Sequence, residues 1–153
     1  MHSPNVSKIQ QFAGNLAVDD RGTVRFVNEF DFTGVKRFYQ VDNFDLNMIR
    51  AWHGHMKEGK YVYVASGSII LGAIRLTSKI KPNKKVRVER FILSAQKPQV
   101  VFIPPGYANG FKTLEKKTKV IFFSTRTLAE SKGDDYRFPA DYWGEEIWQV
   151  ENR

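Results

Sequence analysis

The chain is dominated by short stretches in which apolar and polar residues alternate, the spacing that turns one face of a β-strand toward a core. Val86 and Val88, separated by Arg87 and followed by Glu89, show this alternation. Stretches rich in Val, Ile, Phe and Tyr are predicted to be strands: Arg21–Phe30, Val35–Val41, Met48–Trp52, Tyr61–Ala65, Ser68–Leu76, Lys85–Leu93, Gln99–Ile103 and Lys119–Thr125. Turn residues separate them, at Asp20-Arg-Gly22, Glu58-Gly59, Ser66-Gly67, Pro82-Asn83 and Pro104-Pro-Gly106. This pattern predicts an all-β sandwich or barrel.

Helical spacing is confined to the C-terminal part of the chain. Leu128–Lys132 is long enough for one helical turn, and Ala140–Trp148 forms an amphipathic segment. The tail from Arg137 to Trp148 is rich in aromatic residues, so we expect it to pack across the barrel or against a subunit partner. An aromatic lid over a sugar or a base is the alternative. No linker, repeat or low-complexity tract interrupts the sequence, which predicts a single domain over residues 1–153.

Composition is that of an ordinary globular protein, with 42% hydrophobic and 26% charged residues among 153. The chain has no cysteine, which excludes disulfides and thiolate metal sites. No apolar run approaches the ~20 residues that span a bilayer, and residues 1–8 lack the apolar core of a signal peptide. We therefore expect a cytoplasmic protein with no membrane partner.

A formal net charge of +8 favours anionic partners, namely nucleic acid, acidic lipid or a phosphorylated metabolite. Positive charge is densest from Lys79 to Arg90, where we expect a solvated hairpin tip. Nucleic-acid binding favours aromatic residues among the basic ones, and this segment has none before Phe91. Nucleic acid is therefore disfavoured as a partner.

Two of the three histidines lie one residue apart, in Arg50-Ala-Trp-His53-Gly-His55. On a strand, His53 and His55 point to the same side of the sheet. We expect the guanidinium of Arg50 to lie near the two imidazoles. Imidazole transfers protons near neutral pH and is also the commonest metal ligand, so the motif marks a candidate site for either chemistry.

A metal centre is disfavoured by the residues around this pair. A jelly-roll metal site commonly adds a carboxylate a few residues later and a third histidine from a later strand. Lys60 occupies the first of these positions and Asn109 the second, and a lysine cation repels a metal ion. We expect Glu58 to face the opposite side of the strand from Lys60.

Proton chemistry fits the same residues better. Cations such as Arg50 and Lys60 lower the pKa of a nearby histidine, keep it neutral, hold phosphate oxygens and stabilise an enolate. Tyr39 and Tyr107 could supply a proton from the other side, and we expect Tyr107 and Asn109 to line the same pocket. The set suits proton abstraction beside a carbonyl in a phosphorylated substrate. The alternative is that the histidines only satisfy hydrogen bonds in a polar barrel mouth.

Several motifs follow one another as in a known family: Asp20-Arg21-Gly22, Phe38-Tyr39-Gln40, Arg50-Ala-Trp-His53, Gly59-Lys60-Tyr-Val-Tyr-Val and Val101-Phe-Ile-Pro-Pro-Gly-Tyr-Ala-Asn-Gly-Phe111. Over roughly residues 18–126 the chain resembles the dTDP-4-dehydrorhamnose 3,5-epimerase family. The resemblance implies a cupin-type jelly-roll (double-stranded β-helix) barrel with a short aromatic C-terminal tail. It also implies a homodimeric isomerase, free of metal and cofactor, that acts on nucleotide-linked 4-keto-6-deoxy sugars in polysaccharide biosynthesis.

The resemblance implies a role for each matching residue. His53 is the base that removes a proton beside the keto group, and Arg21 contacts the diphosphate. Arg50 and Lys60 stabilise the enolate oxygen. The sugar or nucleotide pocket is lined by a strand that contains Tyr39 and Gln40.

Other positions depart from the family. Asn109 replaces a histidine, and Phe122 stands where we expect the catalytic tyrosine. The chain ends at Arg153, before the family's segment with the aspartate that orients the histidine. We expect these departures to weaken double epimerisation.

The histidine pair resembles a related branch, the dTDP-sugar 3,4-ketoisomerases, which carry Lys-Arg-Val-Tyr before an Arg-Gly-x-His-Ala-His strand. Val35-Lys-Arg-Phe-Tyr39 echoes the first element, whereas Lys60 stands where glutamine is usual. In that branch both histidines and the tyrosine move protons, which makes His53, His55 and Tyr39 the catalytic candidates. A 3,5- or 3-epimerase is the first prediction, a 3,4-ketoisomerase the alternative, and a non-catalytic nucleotide-sugar-binding cupin the third.

Overall fold

The computed structural model describes residues 7–153, so most of the segment considered for a signal peptide lies outside the described residues. The elements are β1 (Gln10–Ala13), β2 (Asn15–Asp19), β3 (Gly22–Phe26), β4 (Arg37–Val41), β5 (Ile49–His55), β6 (Lys60–Ser66), β7 (Ser68–Arg75), β8 (Glu89–Ser94), β9 (Gln99–Ile103), β10 (Tyr107–Thr113), β11 (Lys119–Ser124), α1 (Leu128–Ser131), β12 (Tyr136–Arg137) and a 3₁₀ turn (Glu146–Trp148). The all-β prediction is confirmed.

Two five-stranded antiparallel sheets carry the fold. The first has the order β1-β9-β6-β11-β4, and the second has the order β12-β5-β10-β7-β8. They remain two separate sheets in the described part of the chain, rather than one continuous hydrogen-bonded barrel. Strands β2 and β3 form a hairpin of their own.

The core between the sheets is built from inward-facing aliphatic and aromatic side chains of both. Val62 and Val120 come from the first sheet, and Ile69, Leu71 and Phe111 come from the second. Burial of each such side chain stabilises the fold by roughly 1.5–3 kcal/mol. The core therefore fixes the positions of the strands, and these strands also carry the polar residues of the cavity between the sheets.

The aromatic tail packs across the outer face of the second sheet, as the first alternative predicted. Trp52 of β5 contacts Trp143 and Trp148 of the tail at ring distances of 5.2 and 5.1 Å. The indole nitrogens of Trp52 and Trp148 both donate to the carbonyl oxygen of Ala140, at 3.2 and 2.9 Å. Because these rings are buried against the sheet, the tail holds β5 from outside the cavity.

The observed strands depart from the predicted ones where tertiary contacts override local preference. The strand predicted over Lys85–Leu93 begins only at Glu89. The preceding basic loop is held by the tail, since the Tyr142 hydroxyl donates to the Pro82 carbonyl oxygen (2.7 Å) and the Trp143 indole to that of Asn83 (3.1 Å). The basic hairpin tip, which we expected to contact only solvent, is therefore anchored to the aromatic tail. The one-turn helix predicted at Leu128–Lys132 is confirmed, and the Ala140–Trp148 segment contains only the 3₁₀ turn.

Strand β10 was missed because its sequence, Tyr-Ala-Asn-Gly-Phe-Lys-Thr, contains a central glycine and asparagine. The glycine is required by close packing. A Cβ atom at Gly110 would lie 2.4 Å from the Ala51 Cβ of neighbouring β5. The strand lies between β5 and β7, so it supports the histidine strand directly.

Among residues 7–153, no helix has the length and apolar character needed to cross a membrane.

Candidate active site

A cavity of about 510 Å³ is lined by β4, β6 and β11 of the first sheet, by β5 and β10 of the second, and by residues between 128 and 137. Positive side chains outnumber negative ones in its lining: Arg37, Arg50, Lys60, Lys132 and Arg137 against Glu58 and Asp135. A cavity of this charge attracts an anionic ligand. The structure brings both histidines of β5, together with Tyr39 and Asn109, into this lining.

A β-bulge places Arg50 on the same side of the sheet as His53. Strict alternation would turn these residues, three positions apart, to opposite faces. In the pairing of β5 with β10, Asn109 faces His53 and Phe111 faces Arg50, so β5 contains one extra residue. The Arg50 Nε atom donates to Asn43 Oδ1 at 2.6 Å, which orients the guanidinium. Arg50 and His53 thereby line one cavity.

His53 lines this cavity with an imidazole that is neutral at neutral pH. Burial lowers the pKa of its imidazole to about 4, and the positive charges of Lys60 and Arg137 act in the same direction. The carboxylate of Asp135 opposes them. Arg137 is brought to His53 by β12, which pairs Arg137 directly opposite His53. An unprotonated imidazole at neutral pH accepts a proton from a substrate.

His55 is held in one tautomer by the segment that follows α1. Its Nδ1 atom lies 2.6 Å from the carbonyl oxygen of Asp134, and a carbonyl only accepts, so the proton is on Nδ1. The Nε2 atom then carries a lone pair; it is buried and has no hydrogen-bond partner among the described residues. Burial and Lys60 lower the pKa of His55, so a second neutral imidazole lies beside the first.

Lys60 is a buried cation enclosed by aromatic faces. It is 8% exposed, and its Nζ atom lies 5.6 Å from the ring centre of Tyr39 and 5.7 Å from that of Phe122. The two rings stack at 5.1 Å with an interplanar angle of 12°. No carboxylate forms an ion pair with Lys60 within residues 7–153. Its charge is therefore available to an anion that forms in the cavity.

The position of Glu58 differs from the predicted one. It was expected to face away from Lys60, but it lines the same cavity and is 2% exposed. The reason is that β6 begins only at Lys60, so Glu58 belongs to the preceding turn, where strand alternation does not apply. Its carboxylate accepts hydrogen bonds from the hydroxyls of Ser124 and Ser131, both at 2.8 Å.

Asp134 shapes the turn that precedes β6, a role that no motif predicted. Its carboxylate accepts from three successive backbone N–H groups, those of Met56 (2.7 Å), Lys57 (2.9 Å) and Glu58 (3.0 Å). Because the carbonyl oxygen of Asp134 also accepts the hydrogen bond from His55 Nδ1–H, this residue joins the histidine strand to the segment after α1. The only available signal was the pair of aspartates, Asp134 and Asp135, directly after a predicted helical turn.

Three predicted binding residues lie outside the cavity lining. The side chain of Arg21 is 86% exposed on the β2–β3 turn, where it pairs with Asp19. The Gln40 amide donates to Asp42 at 3.1 Å on the exposed face of β4. The hydroxyl of Tyr107 accepts from Arg75 at 3.3 Å within the core. Asn109, in contrast, lines the cavity and is buried.

The sequence also missed Arg37, Asp135 and Arg137 as cavity residues. Arg37 precedes the predicted Tyr39 by two positions on β4, so strand alternation places both on one side. Asp135 and Arg137 reach the cavity because the two-residue strand β12 pairs with β5. No local sequence pattern predicts this short strand. Within residues 7–153, no cluster of three or more His, Asp or Glu side chains suits a metal ion.

Comparison with known proteins identifies the family. The SpsL spore coat polysaccharide biosynthesis protein of Bacillus subtilis is 27% identical over 113 residues, 69% of this chain and 70% of that protein. The dTDP-4-dehydrorhamnose 3,5-epimerase of Bacillus anthracis, solved with TDP and PPi, superposes with a TM-score of 0.74 at 19% identity, over 95% of this chain and 87% of that one.

A mutant of the 3,4-ketoisomerase QdtA from Thermoanaerobacterium thermosaccharolyticum, in complex with TDP-4-keto-6-deoxyglucose, superposes with a TM-score of 0.65 at 13% identity, over 90% of this chain and 93% of that one. These likenesses support the cupin-like fold. The model of the dTDP-4-dehydrorhamnose 3,5-epimerase family matches residues 8–139. The chain therefore belongs to the dTDP-4-dehydrorhamnose 3,5-epimerase family.

Proposed function

We propose that the protein is a metal-independent epimerase of a nucleotide-linked 4-keto-6-deoxy sugar, of the 3,5- or 3-epimerase type. The observation that carries the proposal is the neutral imidazole of His53 in a cavity lined by Arg50, Lys60 and Arg137. A neutral base and fixed cations are what proton removal beside a ketone requires, because the product of that step is an enolate anion.

In the proposed mechanism His53 removes the proton from C3, and the positive charges of Arg50 and Lys60 stabilise the enolate oxygen. Epimerisation returns a proton to the same carbon from the opposite face. Tyr39 lines the cavity and carries an ionisable hydroxyl, so it is the candidate donor for that step. Phe122, which stacks on Tyr39, has no proton to give.

A 3,4-ketoisomerase is the second candidate, and one observation favours it. The buried Nε2 atom of His55 carries a lone pair without a partner among the described residues, beside the proposed base. Moving a keto group between C4 and C3 requires proton carriers for both carbon and oxygen, which a pair of neutral imidazoles supplies. The solved ketoisomerase with TDP-4-keto-6-deoxyglucose bound gives a substrate to test for both candidates.

The deciding experiment is incubation with dTDP-4-keto-6-deoxyglucose in heavy water, followed by proton NMR. Deuterium at C3 and C5 identifies double epimerisation, and deuterium at C3 alone identifies single epimerisation. A keto group relocated to C3 identifies the ketoisomerase. Tight binding without exchange refutes both and supports the third prediction, a non-catalytic nucleotide-sugar-binding module.

We further propose that the protein is a cytoplasmic homodimer with no nucleic-acid or membrane partner. The β2–β3 hairpin supports a dimer, because within residues 7–153 it pairs with neither of the two larger sheets and exposes a valine on each of its faces, Val18 at 69% and Val24 at 64%. A dimer would also allow Arg21 at the hairpin tip to approach the diphosphate in the partner's cavity. Light scattering after gel filtration tests this: Val24→Asp should give a monomer, whereas Val150→Asp, at an equally exposed valine outside the hairpin, should not.

A further inference from the structure

Glu58 is a buried carboxylate that neither the proposed base nor the proposed enolate site uses. Its side chain is 1% exposed, and both of its oxygens accept hydrogen bonds. Ser124 donates to Oε2 and Ser131 to Oε1, each at 2.8 Å, and Arg37 reaches Oε2 at 3.5 Å. The donors come from β11, from α1 and from β4, so three separate elements fix the position of the carboxylate.

The carboxylate faces the imidazole of His55. Its Oε1 atom lies 4.0 Å from His55 Nδ1, close enough for a strong interaction with a positively charged ring. The ring itself donates through Nδ1 to the Asp134 carbonyl, which leaves Nε2 as the basic atom. A proton that binds at Nε2 creates an imidazolium with both N–H groups present. Glu58 would then be the nearest anion to that charge.

We propose that Glu58 is a positioning residue for His55, which fixes the ring and stabilises the imidazolium formed when Nε2 accepts a proton during the reaction. This rests on the second candidate under the proposed function, the 3,4-ketoisomerase, in which His55 is the second proton carrier. The proton adds to the lone pair of Nε2, while the Nδ1 proton stays on Nδ1 and continues to be donated to the Asp134 carbonyl oxygen. The substrate group that gives up this proton becomes more negative by one charge, and the bond from that group to hydrogen is the one that breaks.

The other charged groups around His55 explain why an anion is needed here. Lys60 from β6 and burial both lower the pKa of the ring, whereas Glu58 and Asp134 act in the opposite direction. The remaining charged or titratable neighbours are His53 on the same strand, Arg37 of β4 behind Glu58, Arg137 of β12, and Tyr107 of β10, whose hydroxyl is bonded to Arg75. Without Glu58 only Asp134 would oppose burial and Lys60, and the protonated form of His55 would be less stable.

The first test needs no substrate. Nitrogen-15 NMR of the full chain gives separate imidazole signals for its three histidines, which allows each pKa to be followed from pH 8 down to about pH 3, as far as the protein stays folded. Glu58→Gln keeps the shape of the side chain and removes the charge, so the pKa of His55 should fall by about one unit, a tenfold loss of proton affinity. The pKa of His53 should change by less than half as much. An unchanged pKa of His55 overturns the proposal.

Ser131→Ala is the matched control, since it removes one hydrogen bond to Glu58 and leaves the charge in place. It should lower the pKa of His55 by clearly less than Glu58→Gln does. If Glu58→Gln does not give a folded spectrum, Glu58→Asp keeps the charge on a shorter side chain and should produce an intermediate fall in the pKa. An equal effect of the charged and uncharged variants would show that Glu58 is only structural.

Kinetic measurements test whether the interaction between Glu58 and His55 contributes to the reaction. Glu58→Gln should lower kcat by tenfold or more with KM changed less than threefold, and should move the acid limb of the kcat profile to lower pH. Loss confined to KM would contradict the proposal. If no keto sugar is turned over by the wild-type protein but the pKa of His55 still falls in Glu58→Gln, the interaction stands and the proposed function fails.

Discussion

Lys60→Met gives the sharpest test of how the cavity stabilises an anion. Methionine has a similar length and no charge, so the substitution removes the ammonium group that lies within 5.7 Å of both the Tyr39 and Phe122 ring centres. Losing one preorganised group of this kind costs about 2.7–4 kcal/mol of transition-state stabilisation, which is ~10²–10³-fold in kcat. Because the enolate exists only after the proton has left, KM should change by about threefold or less.

The same substitution acts on His53 in the opposite sense, and this separates the two effects. Lys60 lowers the pKa of His53, so Lys60→Met should raise that pKa from about 4 and make the imidazole a stronger base. A stronger base alone would speed proton removal. A fall in kcat at neutral pH therefore reports the lost stabilisation of the enolate and nothing about the basicity of His53.

The assay is deuterium incorporation at C3 of dTDP-4-keto-6-deoxyglucose, followed by proton NMR over a range of substrate concentrations. Lys119→Met is the matched control, because Lys119 pairs with Asp42 on the surface at 2.9 Å, with 47% of its side chain exposed. That variant should keep full activity. If Lys60→Met retained its kcat, or lost activity only through KM, Lys60 would not stabilise the enolate.

Three further predictions follow from the same geometry. His53→Asn should reduce exchange at C3 by ~10²–10⁴-fold, with the affinity for TDP measured by calorimetry within about threefold of wild type; near-normal exchange would remove His53 as the base. The pKa of His53 is about 4 when folded against 6.5 for the free side chain, so the unfolded chain binds more protons between these values, and the Tm should fall as pH drops from 6.5 toward 4 and level off above 6.5; His53→Asn should flatten that dependence, and an identical slope would contradict the assignment. Gly110→Ala should destabilise the fold by ~1–3 kcal/mol in urea unfolding, because its Cβ would lie 2.4 Å from that of Ala51; Ala51→Gly in the same chain should restore part of the loss, and equal stability of Gly110→Ala and wild type would show that β5 and β10 approach less closely than described.

The alternation of apolar and polar residues predicted most of the strands and the common orientation of the two histidines. Alternation along the chain gave most of the strands, and the spacing of His53 and His55 placed both rings in one cavity. The family resemblance supplied the jelly-roll topology, which alternation alone does not specify. Lys60 was placed correctly for the same reason as the histidines, since it begins a regular strand of the facing sheet.

Other features of the site depend on contacts between distant segments, whether or not the residues themselves were predicted. Arg50 shares a face with His53 only because a bulge opposite Gly110 shifts the alternation of β5. Glu58 enters the cavity through a turn that Asp134 shapes from 76 residues further along the chain. Nothing in the sequence around either residue records these contacts, because the bulge needs the neighbouring strand and the turn needs the segment after α1.

These distant contacts give the two histidines different surroundings. Two cations, Lys60 and Arg137, act on His53 against one carboxylate, whereas His55 has one cation, Lys60, against the carboxylates of Glu58 and Asp134. Pairs of titratable groups in contrasting surroundings take different roles in proton transfer. Both imidazoles are neutral, but the carboxylates beside His55 favour its protonated form, whereas the cations beside His53 disfavour protonation of that ring. A second proton carrier is what relocation of the keto group would require, so deuterium at C4 of a 3-keto product would identify the ketoisomerase, whereas deuterium at C3 of a 4-keto product identifies the epimerase proposed first.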